Sequence, residues 1–123
     1  MSDADRDLSV SQSVERGITV VALHGLIDIN SVDQLAAALR VAVEEDRPVV
    51  IDLARIESLD SSGLRVLLDA RAAMVQRNEP LAVVCDAHGS IAKILDVAGA
   101  GRFLHIYATR EQALDGIGAQ GSS

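Results

Sequence analysis

Val49-Val-Ile-Asp-Leu-Ala-Arg-Ile-Glu-Ser-Leu-Asp-Ser-Ser-Gly-Leu-Arg-Val-Leu-Leu68 changes its periodicity partway along. Val49 to Leu53 are a short apolar run rich in β-branched residues, opened by Pro48, and predict a buried strand. From Leu64 onward the apolar residues fall at helical spacing, with Leu64, Leu67, Leu68 and Val75 on one broad face. Asp60-Ser61-Ser62-Gly63 lies between, as a short loop and the start of the helix. Its side-chain oxygens can accept from the unpaired N–H groups of a first helical turn. Two hydroxyls therefore stand at the positive end of a helix, a place suited to a phosphate. Capping alone would also account for these residue types.

The flanking sequence builds outward from this unit. Leu8, Val10 and Val14 alternate with serines and predict a half-exposed strand. Glu15-Arg-Gly17 makes a turn, and Ile18 to Leu23 form its hairpin partner, ended by His24 and Gly25. Leu26 to Asn30 then connect to a helix. Ser31 and Gln34 have capping-box spacing, and Val32, Leu35, Ala36, Leu39 and Val43 mark the helix face. Pro48 stops it. Beyond the central helix, Asn78-Glu-Pro80 precedes a strand over Leu81 to Cys85. Ile91, Ile94, Leu95 and Ala98 give a short helix that ends at Gly99. A last strand spans Phe103 to Tyr107, and Thr109 with Gln112 caps a terminal helix reaching about Ile117.

The predicted order is ββαβαβαβα. Strands separated by helices predict parallel, right-handed crossovers, and the hairpin makes the sheet mixed. With the first two strands half exposed and the central one buried, helices gather mainly on one face. The expected organisation is a tail over 1–7, one α/β domain over 8–117 and a flexible tail over 118–123.

Composition removes several classes of function. With 123 residues, one core and one domain are expected. A net charge of −7, with arginines scattered beside the single Lys93, offers no basic patch for nucleic acid. Phe103 and Tyr107 are the only aromatics, too few for a base-stacking platform. No apolar run approaches the roughly 18–20 residues that span a bilayer, and the acidic N-terminus lacks the pattern of a secretory signal. A cytoplasmic protein without membrane insertion is the expectation. Cys85 ends an apolar run and reads as a small hydrophobe. The histidines His24, His88 and His105 have no ligand spacing with each other or with Cys85, so neither metal nor other cofactor is expected. A serine hydrolase built on Ser61 or Ser62, with one of these histidines as base and Asp28 or Asp60 as its orienter, lacks the Gly-x-Ser-x-Gly elbow. A phospho-accepting receiver fold would need an acidic pair after the first strand, which is absent.

Ser58-Leu-Asp-Ser-Ser-Gly-Leu64 resembles the signature of STAS domains, in particular of bacterial anti-sigma factor antagonists. Gly25-Leu-Ile-Asp28 is similar to that family's Gly-Glu-Leu-Asp segment. Ile94-Leu-Asp-Val-Ala-Gly-Ala-Gly-Arg-Phe103 is similar to its C-terminal Leu-Phe-Asp-x-x-Gly-Leu segment. The resemblance runs from about Leu8 to about Leu114. It implies a STAS-like fold with helices mainly on one face and no catalysis by the chain itself. It further implies a switch in which the unphosphorylated domain binds an anti-sigma factor that is also a serine kinase, freeing a sigma factor. Phosphorylation of the first serine of the pair, Ser61, ends binding, and a serine phosphatase restores it. Asp28, Asp60, Ser62, Gly63 and Arg65 fall on the implied partner surface, Ser62 and Gly63 by shaping the turn. Leu26 stands where the family usually has Glu, and Arg65 where a small residue is common. Arg65 lies one turn after Ser61 and has two candidate partners, a phosphate on Ser61 or Asp69. STAS domains also occur as non-switching subunits of lipid or sulfate transport machinery, which is the alternative.

Overall fold

The computed structural model describes residues 8–100 and 103–121. The elements follow the predicted order: β1 Ser9–Glu15, β2 Ile18–Ile27, α1 Val32–Val43, β3 Val49–Leu59, α2 Ser61–Gln76, β4 Leu81–Val84, α3 Ser90–Val97, β5 His105–Tyr107 and α4 Arg110–Gly121. The strands lie in one sheet in sequence order. β1 pairs antiparallel with β2, and every later pair is parallel. Arg16 and Gly17 both have positive φ, 55° and 76°, as a two-residue hairpin turn of the primed type requires.

Alternation along the strands divides the core between the two faces of the sheet. Val49, Ile51 and Leu53 of β3 face the larger core with Leu35, Leu39, Leu67, Met74, Ile91 and Leu95 from α1, α2 and α3. Val50 points the other way, with Ile18, Val20, Ala82 and Val84, against Ala113, Leu114 and Ile117 of α4. Three helices therefore cover one face and α4 covers part of the other. Two arginines fasten α4 to the hairpin. Arg16 pairs with Glu111 and Asp115 at 2.6 and 2.7 Å, and Arg110 pairs with Glu15 and Asp52 at 3.2 and 2.9 Å.

Several expected boundaries move. β2 does not stop at His24-Gly25. Its pairing with β3 shifts register on both sides of that dipeptide, and Gly25 takes φ 117°, so the strand passes through an irregularity and continues to Ile27. β2 is also buried along most of its length, not half exposed, because α4 seals the face that the hairpin alone would leave open. β3 runs to Leu59, six residues past Leu53, and α2 begins at Ser61, so no loop separates them. On α2, Met74 is buried and Val75 is 54 % exposed, the reverse of the expectation for Val75. Ala70 is buried, and Val66 and Ala73 are half-buried against the core beside α1, where all three line a groove of about 620 Å³ between the two helices. β5 is shorter than predicted and leaves Phe103 in the preceding turn. α4 extends past Ile117 to Gly121, which removes most of the expected C-terminal tail. The tail expected over 1–7 lies outside the described residues, as do 122–123.

Cys85 is buried at the end of β4, its N–H donating to the Tyr107 carbonyl at 3.0 Å. Burial raises its thiol pKa above the ordinary value, which suits a packing residue rather than a reactive one.

Candidate functional site at the start of helix α2

Parallel strands β2, β3 and β4 all end at one rim of the sheet, where the starts of α1, α2 and α3 collect. Ligand and partner sites of open α/β sheets favour this rim. Asp60 is the residue between β3 and α2. Its backbone is extended, at φ −96° and ψ −178°, and its N–H donates to the Ile27 carbonyl at 3.1 Å, tying this helix start to the end of β2. Its Oδ1 accepts from the Gly63 N–H at 3.1 Å and from the Ser62 hydroxyl at 2.6 Å. The Ser62 hydroxyl, followed by the Gly63 N–H, holds the Asp60 carboxyl below the usual carboxylate range, so it is ionised at neutral pH. Asp60 is therefore the N-cap.

The two serines are not equivalent. Ser62 is half-buried and its hydroxyl is committed to Asp60. Ser61 is the first helical residue. It is exposed, and among the described residues its hydroxyl has no hydrogen-bond partner. Gly63 is buried. A Cβ there would overlap Ile27 Cγ2 and Leu59 Cδ1, so glycine is what lets α2 start this close to the end of β2. Gly63 thus shapes the site from beneath and offers no contact surface.

Asp28 belongs to the neighbouring loop. Its Oδ1 accepts from the Asn30 N–H at 2.9 Å, and its carbonyl accepts from the N–H groups of Ser31 and Val32 at 3.0 and 2.8 Å. The expected capping box at Ser31 does not form. Ser31 has near-helical angles, and its hydroxyl accepts from the Asp28 N–H at 3.0 Å and donates to the Leu26 carbonyl at 2.8 Å. Gln34 instead reaches the Leu8 carbonyl at 3.0 Å. The side chains here are spent on fixing the Asp28–Ser31 connection to the end of β2, and its tip carries Ile29 at 73 % exposure. Arg65 is exposed, and among the described residues it makes no ion pair with Asp69 or any other carboxylate.

A groove of about 520 Å³ opens directly beside Ser61. Leu59, Leu64, Ile94, Val97 and Ala98 give it an apolar floor and walls, and Asp60, Ser61, Ser90 and Lys93 stand around it. Reading the sequence missed it. The available signal was α3, whose apolar residues outnumber those it buries. Ile91 and Leu95 enter the core, whereas Ala98 is exposed and Val97 is 81 % exposed. None of His24, His88 and His105 lines this groove. Among the described residues no helix is long and apolar enough to cross a membrane.

Comparison with known proteins agrees with this geometry. Residues 9–113 match the STAS domain family. The chain is 30 % identical over 120 residues to the anti-sigma-F factor antagonist RsfB of Mycobacterium tuberculosis, covering 93 % of each. Its fold is similar to that of an anti-sigma factor antagonist from Mycobacterium paratuberculosis, with TM-score 0.84 at 24 % identity over 91 % of this chain and 95 % of that one. It is also similar to the Bacillus cell fate determinant SpoIIAA in its phosphorylated form, with TM-score 0.66 at 22 % identity over 87 % of this chain and 97 % of that one. With the family match spanning residues 9–113, most of its length, this chain belongs to the STAS domain family.

Proposed function

We propose that this chain is an anti-sigma factor antagonist controlled by phosphorylation of Ser61. In its unphosphorylated form it binds an anti-sigma factor with serine kinase activity in the cytoplasm and thereby frees a sigma factor. The kinase transfers phosphate from ATP to Ser61, the complex dissociates, and a serine phosphatase resets the switch. The chain itself is a substrate and binding partner, not a catalyst. One observation carries the choice of residue: of the two adjacent hydroxyls, Ser61 is exposed and unengaged, whereas Ser62 is held by Asp60 at 2.6 Å. The name carried by the M. tuberculosis relative supports the class of partner. The phosphorylated form known for SpoIIAA supports the kind of control.

The physical effect of the modification is local. Phosphate brings about −1.5 to −2 charges to a surface that already carries ionised Asp60. The first turn of α2 holds no acidic side chain, so the helix N-terminus accommodates the added charge in the free protein by about 0.3–1 kcal/mol. At an interface the same charge must lose its water and face whatever acidic groups the partner presents. A loss of about 1.4 kcal/mol in affinity is already tenfold. Asp28, Asp60 and Arg65 are assigned to the partner surface around Ser61. The free hydroxyl favours this switch over a static subunit of a transport assembly.

Affinity capture with this chain as bait, with mass spectrometry of what is retained, should identify the kinase. Incubation with that kinase and ATP should then yield a single phosphopeptide with the phosphate on Ser61. Modification confined to Ser62 or Thr109 overturns the assignment.

A further inference from the structure

We propose that Lys93 is the internal counter-ion of a phosphate on Ser61, and that the resulting pair bridges the mouth of the groove between α2 and α3. This rests on Ser61 being the modified residue and adds a second action to the switch. Ser61 on α2 and Lys93 on α3 both line the groove, together with apolar Leu64, Ile94 and Val97. Lys93 is exposed and is the only lysine of the chain. Among the described residues its ammonium joins no carboxylate. The anion nearest Ser61 in sequence, Asp60, is turned into the helix cap. On α3, Asp96 lies one turn past Lys93 as a competing partner of ordinary surface strength.

A dianionic phosphate outbids a single exposed carboxylate for a flexible ammonium, because it offers more charge and three acceptor oxygens. An ion pair formed over apolar side chains is also less screened than one in open water. Arg65, one helical turn after Ser61 and without an ion pair among the described residues, does not line the groove. Capture by Arg65 would leave the groove open, whereas capture by Lys93 covers it. Phosphorylation then does two things with one event: it adds charge at the rim and closes the apolar surface beside it.

The test needs neither kinase nor partner. Phosphoserine is placed at position 61 of the full chain by genetic encoding, and its second ionisation is followed by ³¹P nuclear magnetic resonance. Access to the groove is followed with Nile red, a neutral apolar dye. Removing the cation in Lys93→Gln should raise the phosphate pKa by about half a unit, roughly a threefold change in proton affinity. Arg65→Gln should leave it in place, and Lys93→Arg should restore the wild-type value. Nile red binding should fall several-fold on phosphorylation of the wild type and not of Lys93→Gln. An unchanged phosphate pKa in Lys93→Gln overturns the proposal, as does a shift found in Arg65→Gln instead. A groove equally open to dye in both phosphorylated proteins overturns the bridging. Because the phosphate is installed directly, a negative result here leaves the kinase assignment of Ser61 standing, and failure of that assignment leaves this result intact.

Discussion

Helix α1 is reached through Asp28-Ile-Asn-Ser31 and helix α2 through Asp60-Ser-Ser-Gly63. Both tetrapeptides open with Asp, follow a parallel strand and lie on the same rim of the sheet. In each, the Asp side chain accepts a backbone N–H further along, from Asn30 in the first and Gly63 in the second. The difference is in the hydroxyls. At α1 the single serine is consumed in holding the connection, bonded to Asp28 and Leu26. At α2 the cap is completed by Asp60 and Ser62, which leaves Ser61 free at the positive end of the helix. The Ser61 hydroxyl is surplus to the local structure, which is satisfied without it.

The comparison breaks most severely at the fourth position. Ser31 has room for its side chain and uses it, whereas Gly63 has none. Gly63→Ala forces a methyl into Ile27 and Leu59, which are both buried. Overpacking of this kind costs about 1–3 kcal/mol, and Gly63→Val should cost more. Thermal or denaturant melts should show both variants below wild type in that order. A neutral Gly63→Ala would mean that α2 can start further from β2 than the structure shows.

Next in size come the two Asp–Ser units themselves. Asp60→Ala removes the cap and should cost about 0.5–2 kcal/mol. Ser31→Ala removes one acceptor and one donor at the α1 connection, and should cost about 0.5–1.5 kcal/mol. The two variants differ in acid. Asp60 has a carboxyl pKa lowered by Ser62 and Gly63, so its contribution is full above the unfolded value and is lost as pH falls through the folded one. The stability gap between wild type and Asp60→Asn should hold at neutral pH and close below the ordinary carboxylate range. The gap between wild type and Ser31→Ala should stay open there. Melts at neutral and acid pH check both; parallel behaviour would mean that Asp60 does not act through its charge.

What the sequence made legible follows the range of the forces involved. Helices and strands were readable from periodicity, and the Asp60–Gly63 helix start from its residue types, because both are local. The extent of β2 was not, since passage through His24-Gly25 depends on an irregular pairing with β3. Its burial was not either, because the covering residues Ala113, Leu114 and Ile117 come from the far end of the chain. At the site, Ser61 and Ser62 are indistinguishable by type. The bond from Ser62 to Asp60 and the greater exposure of Ser61 separate them. The groove needs Leu64 on α2 and Ile94 and Val97 on α3 to meet, so neither segment alone announces it.

The smallest expected effect is the most informative about the switch. Ser61→Ala and Ser62→Ala remove the same atom from adjacent residues of the same helix turn. At Ser62 the hydroxyl donates to a carboxylate at 2.6 Å, and its loss also relaxes Asp60 toward an ordinary carboxyl pKa. The site is solvent-exposed on the Asp60 side, so the cost falls below the range of about 1.5–3 kcal/mol for hydrogen bonds to charged groups, at about 0.5–1 kcal/mol. At Ser61 no bond is lost and alanine is the better helix former, so the change should lie within about ±0.5 kcal/mol. Had Ser61 been the cap, its removal would have cost what Asp60→Ala costs. The functional effects run the other way. Ser61→Ala should bind the captured anti-sigma factor persistently in the presence of ATP, and Ser61→Asp should bind it weakly while melting like wild type. Ser62→Ala should still be phosphorylated and released. Calorimetric titration beside a melt for each variant separates the two axes. Equal stability losses for the two alanine variants, or equal partner affinity for the folded Ser61→Ala and Ser61→Asp, would show that the free hydroxyl is not what sets this helix start apart.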